Sequence, residues 1–151
     1  MTPFVAAGAG FLLAVLWFDL MFDVQSCGPG GAVLPDAVLA SIAGYNARVT
    51  TGARPMNRLV ATVMLATLAA IVVEIARDDA PAWAAWGSLA LPVGAVGVAA
   101  ARTVPTAVRL GTRRDPPAVQ SALARAILRQ HVVCLGAIGA VLVAQLVAAA
   151  E

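Results

Sequence analysis

Long uncharged runs broken by short polar stretches set the plan of this chain. Thirteen residues without a charge, FVAAGAGFLLAVL (4–16), stand near its start, and three further apolar runs follow. A hydrocarbon layer about 30 Å thick requires roughly 20 apolar residues of helix at about 1.5 Å each. Four stretches reach that length, at about 3–24, 57–76, 81–101 and 126–149. Backbone polar groups in lipid must bond within their own segment, so each stretch is predicted to be a helix. The predicted fold class is all-α: an integral membrane four-helix up-down bundle, one domain over 1–151, with short amphipathic helices in its cytoplasmic loops. The first run is longer than the apolar core of a signal peptide and lacks a basic start, so it reads as a retained helix.

The connections are unequal. RDDA (77–80) is a tight turn and makes the second and third helices a hairpin. In the first long connection, DAVLASIAGYNARV (36–49) carries apolar residues at 38, 39, 42, 43 and 49, roughly one helical stripe, with Pro35 and Asp36 as start signals. CGPGG (27–31) before it is a flexible breaker. In the second long connection, Pro116 and Pro117 mark a helix start, so the fourth helix is predicted to begin near 117, outside the membrane. Pro92 interrupts the third helix and is predicted to kink it.

Composition agrees with lipid as the solvent. Hydrophobic residues are 61% of the chain and charged residues 12%, against about half and about a quarter in a soluble domain. The basic residues are all Arg, and the Ala, Val and Arg bias points to a GC-rich bacterial genome. A net charge of +2 gives no case for nucleic acid. Nine arginines (48, 54, 58, 102, 109, 113, 114, 125 and 129) fall on the side of the long connections, against Arg77 alone on the other. Positive charge stays inside, so the expected location is the bacterial inner membrane, multi-pass, with both termini outside. Trp83 and Trp86 then sit at the outer interface, as amphipathic rings do. Cys27 and Cys134 lie toward the reducing face, where a structural disulfide is not expected. Two cysteines and one histidine make no zinc pattern. His131 and Cys134, three apart on one face, are the nearest approach to a metal pair, and no metal is expected.

Polar groups gather at one predicted depth. Asp19 lies about 24 Å along the first helix at the helical rise, with Asp23 one turn further on the same face. Asn57 and Arg58 open the second span, and Arg125, Arg129, Gln130 and His131 enter the fourth at the same level. Gln25 adds a polar group there, while Tyr45 and Asn46 on the connecting helix either cap this cluster or face water. The ligand-binding or polar-cluster candidates are therefore Asp19, Asp23, Gln25, Tyr45, Asn46, Arg58, Arg129 and His131. His131 and Asp19 are the catalytic candidates, because an imidazole titrates near neutrality and the deeper acid can hold a partner or act as a base. The competing reading is interfacial: arginines reach lipid phosphates and the acids pair with them. Elsewhere, Glu74 is predicted to pair with Arg77 at i,i+3. Gln145 is predicted to hydrogen-bond across helices, and the small residues AAGAGF (6–11) and GAIGA (136–140) to allow close helix packing.

The order of these features is similar to that of the anthrone-oxygenase-like small four-helix integral membrane proteins. An apolar first helix leads to a connection ending in AGYNARV, then a tight hairpin. RTVPTAVRLGTRRDPPAVQ follows, and a last helix opens with ARAILRQH. This chain has Pro105–Thr106 where that family has a Pro-Asn step. The resemblance implies cofactor-independent oxidation of a polyketide anthrone that enters from the bilayer, and it assigns no residue by position.

Three function classes follow. The first is a non-enzymatic accessory or scaffold subunit, with a membrane-protein partner or a second copy packed against it. The second is a binder or oxygenase of a small apolar molecule of polyketide, quinone or lipid type, using the polar cluster. The third is an oligomeric small-molecule transporter. No flavin, nicotinamide or haem motif is present, so no cofactor is expected; GPGG (28–31) lacks the Lys-Ser/Thr of a phosphate loop. An enzyme requires a cavity reaching His131, whereas a scaffold requires a small-residue groove on an outer face.

Overall fold

The structure, a computed structural model, describes residues 1–28, 31–52 and 54–150. Pro29 and Gly30 of the CGPGG breaker, and the side chain of Arg54, lie outside the described residues. Six α-helices run α1 (Thr2–Asp23), α2 (Asp36–Ala47), α3 (Arg54–Ala76), α4 (Ala82–Val98), α5 (Val104–Gly111) and α6 (Pro117–Ala148). No strand occurs among the described residues. A 3₁₀ turn, Val24–Cys27, prolongs α1, and π-helical turns at Arg48–Gly52 and Ala99–Thr103 follow α2 and α4.

Four stretches are long and apolar enough to cross a membrane: Thr2–Cys27, Pro55–Ala76, Ala82–Gly111 and Pro117–Ala148. The third is longer than the sequence predicts, because α4 and α5 form one rod through the π-turn. The reason is local. Pro105 has no N–H for the carbonyl one turn back, and a π-turn just before it absorbs the missing bond without ending the helix. Pro117 starts the fourth stretch, as its fixed φ favours a first helical position. Pro92 lies within α4 and is buried.

The long helices pack in a ring, α1 against α3 and α6, and α4 against α3 and α6. Their shared core holds Val5, Ala9, Leu12, Ile71, Ile138 and Val141. Lipid is as apolar as these side chains, so close packing rather than water exclusion holds this core. Gly8 shows how close: a Cβ there would overlap Thr67 Oγ1 on α3. Trp17, Phe18, Trp83, Trp86 and many valines point outward, which suits a hydrocarbon solvent.

A second core lies at the far end of the rods. Leu39, Ile42 and Ala43 of α2 pack on Ala107 and Leu110 of α5 and on Ala124 and Ile127 of α6, with Leu34. These positions fall largely beyond the apolar runs. The buried stripe of α2 (Leu39, Ile42, Ala43, Asn46) keeps the i, i+3, i+4, i+7 spacing of a one-sided helix. Polar ties fix this layer. Arg125 donates to the carbonyls of Gly31 (2.6 Å) and Ala32 (2.9 Å), and the Leu34 N–H donates to Ser121 Oγ at 2.9 Å. Arg113 pairs with Asp36.

The turn after α3 is closed by backbone geometry. Asp78 adopts φ 51°, and the Asp79 N–H reaches back to the Glu74 carbonyl at 3.1 Å. This is a helix stop with a left-handed residue at its pivot, a place that suits glycine best and tolerates Asp.

Candidate functional site

The end of α1 meets α2 and α6 through two acid-centred pairs. Asp23 Oδ2 lies 2.5 Å from His131 Nδ1, and Tyr45 Oη donates to Asp19 Oδ1 at 2.6 Å. Phe22, between the two acids, stacks on Tyr45 with ring centroids 4.0 Å apart and planes 8° from parallel. The three contacts arise because both α2 and α6 pack against α1. Asp23 is fully buried (0% exposed), and its Oδ1 has no hydrogen-bond partner. Tyr45 sits outside the long apolar stretches. Burial first, and then its bond to the Asp19 carboxylate, push its phenol well above the ordinary value.

Asp19, Phe22, Tyr45 and His131 border a cavity of about 560 Å³, with Asp23 behind His131 and outside its lining. Its wall is aliphatic along α1, α3 and α4, from Leu12, Leu16, Val60, Met64, Pro92 and Val96. Its polar rim is Asp19, Tyr45, Asn46, Asn57 and His131, with the Cys134 thiol further in. A volume of roughly 300–1,000 Å³, mainly apolar with a few convergent polar groups, is typical of a small-molecule pocket. Asp23 fixes the orientation of the imidazole through Nδ1 and leaves Nε2 as its second ring nitrogen, an arrangement that can exchange a proton with a bound hydroxyl. The Tyr45–Asp19 pair gives a second hydroxyl and a carboxylate beside it.

The sequence-predicted cluster divides. Asp19, Asp23, Tyr45 and His131 come together. Asn46 lines the cavity, but its amide donates to the Ile42 carbonyl of its own helix at 2.9 Å. Gln25 is half-buried in the 3₁₀ turn and does not line the cavity. Arg58 and Arg129 are exposed. Among the described residues they pair with neither acid, so the expected Asp–Arg contacts are replaced by Tyr45 and His131. The reason is reach: α2 and α6 bring neutral or titratable partners directly over the acids, while both arginines lie on outward faces. Asp23 is also more buried than Asp19, reversing the order inferred from distance along α1. The turn Val24–Cys27 packs on α6 and α2 and covers it.

A second polar cluster, which the sequence does not predict, lies at the start of α1. Glu74 does not pair with Arg77. Its Oε1 accepts from Thr2 Oγ1 at 2.8 Å and its Oε2 from Gln145 Nε2 at 3.0 Å. Gln145 Nε2 also reaches Ser88 Oγ at 3.0 Å. The cross-helix bonding predicted for Gln145 is present, and Glu74 is one of its partners. The signal available in sequence was that Glu74, Ser88 and Gln145 are isolated polar residues at the same end of three apolar runs.

No family model, no curated protein and no solved structure matches this chain.

Proposed function

We propose that this protein is a multi-pass membrane protein that binds a small apolar molecule carrying a hydroxyl or carbonyl group, of polyketide, quinone or lipid type. The observation that carries the reading is the cavity of about 560 Å³, with a mainly aliphatic wall and a polar rim of Asp19, Tyr45, Asn46, Asn57 and His131. The ligand's apolar body would lie among Leu12, Val60, Met64 and Val96, and its polar end would bond to His131 or Tyr45. The proposed setting is a bacterial inner membrane, with an up-down bundle, both termini outside and the α2 layer in the cytoplasm, on the strength of the arginine bias. The resemblance to anthrone-oxygenase-like proteins fits the same pocket. In that form of the reading, His131 or Asp19 would remove a proton from the bound molecule before oxygen attacks it.

The test uses Cys134 on the cavity wall in a Cys27→Ser background, where it is the one remaining thiol. Protein extracted with its own lipid should react slowly with N-ethylmaleimide, and protein stripped by repeated detergent exchange should react faster. Equal rates count against an occupant.

One observation favours an accessory role as a second reading. A shallow groove of about 510 Å³ runs along α1 and α3, lined by Phe4, Gly8, Ala66, Thr67, Ala69 and Ala70. Small residues on an outer face let another helix approach closely. The convergence of Asp19, Tyr45 and His131 on one cavity puts ligand binding ahead of this reading.

A further inference from the structure

Four side chains from four helices converge at the end of the bundle away from His131: Thr2 of α1, Glu74 of α3, Ser88 of α4 and Gln145 of α6. Glu74, Ser88 and Gln145 are each 0% exposed. Among the described residues Glu74 makes no ion pair, and Arg77 on the next turn is exposed. A carboxylate held in an apolar interior without a countercharge is costly by several kcal/mol. The hydrogen bonds it accepts from Thr2 and Gln145 carry no net positive charge.

The cluster is rich in oxygen and short of donors. A carboxylate offers about four acceptor positions, and Glu74 uses one on each oxygen. Gln145 Oε1 is buried with no partner. Pro92 has no N–H for the Ser88 carbonyl one turn earlier, so that oxygen also lacks its helical donor. A half-turn of the Gln145 amide exchanges its NH2 for its oxygen at the point 3.0 Å from both Glu74 and Ser88. The ligand atoms are then all oxygens, which select a hard cation. A single carboxylate balances one positive charge, so a divalent ion would leave an uncompensated charge in the interior.

We propose that Glu74, Ser88, Gln145 and Thr2 form a binding site for one Na+ ion, which ties the four long helices together. Glu74 supplies the charge, Thr2 and Ser88 their hydroxyl oxygens, and Gln145 its amide oxygen.

The protein in nanodiscs is melted at pH 8 in NaCl and in choline chloride of equal ionic strength. Na+ should raise Tm in a saturable way, because a ligand bound only by the folded state stabilises it. Glu74→Gln should abolish the Na+ response. Ser88→Ala should raise the half-saturating Na+ concentration by about tenfold, the effect of losing roughly 1.4 kcal/mol of binding, and it carries the test if Glu74→Gln does not fold. Equal Tm in the two salts overturns the proposal. So does a Tm that falls with rising pH yet ignores Na+, since a proton then fills the place. A Na+ response that survives unchanged in the substituted proteins overturns it as well.

Discussion

Asp23 Oδ2 lies 2.5 Å from His131 Nδ1, with the acid fully buried and its other oxygen without a partner. Four residues earlier on the same face, Asp19 is less buried and bonds to Tyr45. The two acids therefore differ in what their loss leaves behind. Asp23→Ala leaves a largely buried imidazole, 15% exposed, without its partner, and breaking a buried pair costs up to about 3–5 kcal/mol. Asp19→Ala leaves only a phenol that reaches water more easily, at about 1–3 kcal/mol. Thermal melting in detergent should place Asp23→Ala well below Asp19→Ala; equal melting would remove Asp23 from its central place.

Tyr45 is the one tyrosine in the chain, so its ionisation can be followed by phenolate absorbance without interference. Burial and the Asp19 carboxylate raise its pKa. The phenol should stay protonated in the folded protein at pH values where a denatured control has ionised. A folded pKa above the unfolded one means that the stabilisation is fully present below the ordinary phenol range, near pH 10, and is lost as pH rises through the folded value. Stability should therefore decline above that range, and Tyr45→Phe should remove that part of the decline.

Gly8 sets the distance between α1 and α3. An added methyl would overlap the Thr67 hydroxyl, with the Thr67 Cβ at 3.1 Å behind it. Thr67 is β-branched, and its hydroxyl is bonded to the Val63 carbonyl at 2.8 Å, so it has little room to turn. Gly8→Ala should destabilise by about 1–3 kcal/mol, as overpacking does. Gly10 has open space around its Cβ position, and Gly10→Ala serves as the control that should melt like the wild type.

Asp78 holds a left-handed conformation at φ 51° that costs an L-residue roughly 1–2 kcal/mol. Asp78→Gly should recover part of that and raise Tm slightly. A fall in Tm would mean that the Asp78 carboxylate contributes more than its backbone costs.

Much of the scaffold could be read from sequence because apolar length alone identifies a membrane-crossing helix. The four runs, the start of α6 at Pro117 and the stripe on α2 are all present. The rod through Arg102 to Gly111 was not legible, because a charge normally closes an apolar run and the π-turn that carries the helix past Pro105 has no simple signature. Inward faces were also hidden. A helix that is apolar all round has no stripe to show which side meets its neighbours, so distance along α1 does not reveal the burial of Asp23, which the covering turn decides. Arg77 is the near neighbour of Glu74 in sequence, whereas its actual partners Thr2 and Gln145 are 72 and 71 residues away and leave no local signal. His131, Asp19 and Tyr45 were legible as a group because α1, α2 and α6 each carry few polar residues near that end.

The most direct measurement of the central claim is native mass spectrometry of the protein released from its own membrane, wild type beside Ala95→Leu. Ala95 lines the cavity, and filling a cavity with apolar atoms commonly adds about 0.5–2 kcal/mol of stability. The expected result is a retained small apolar molecule on the wild type and none on a variant that melts at the same or a higher temperature. A wild type that carries no small molecule, or a variant that retains the same molecule equally well, would contradict the assignment of this cavity as a ligand site.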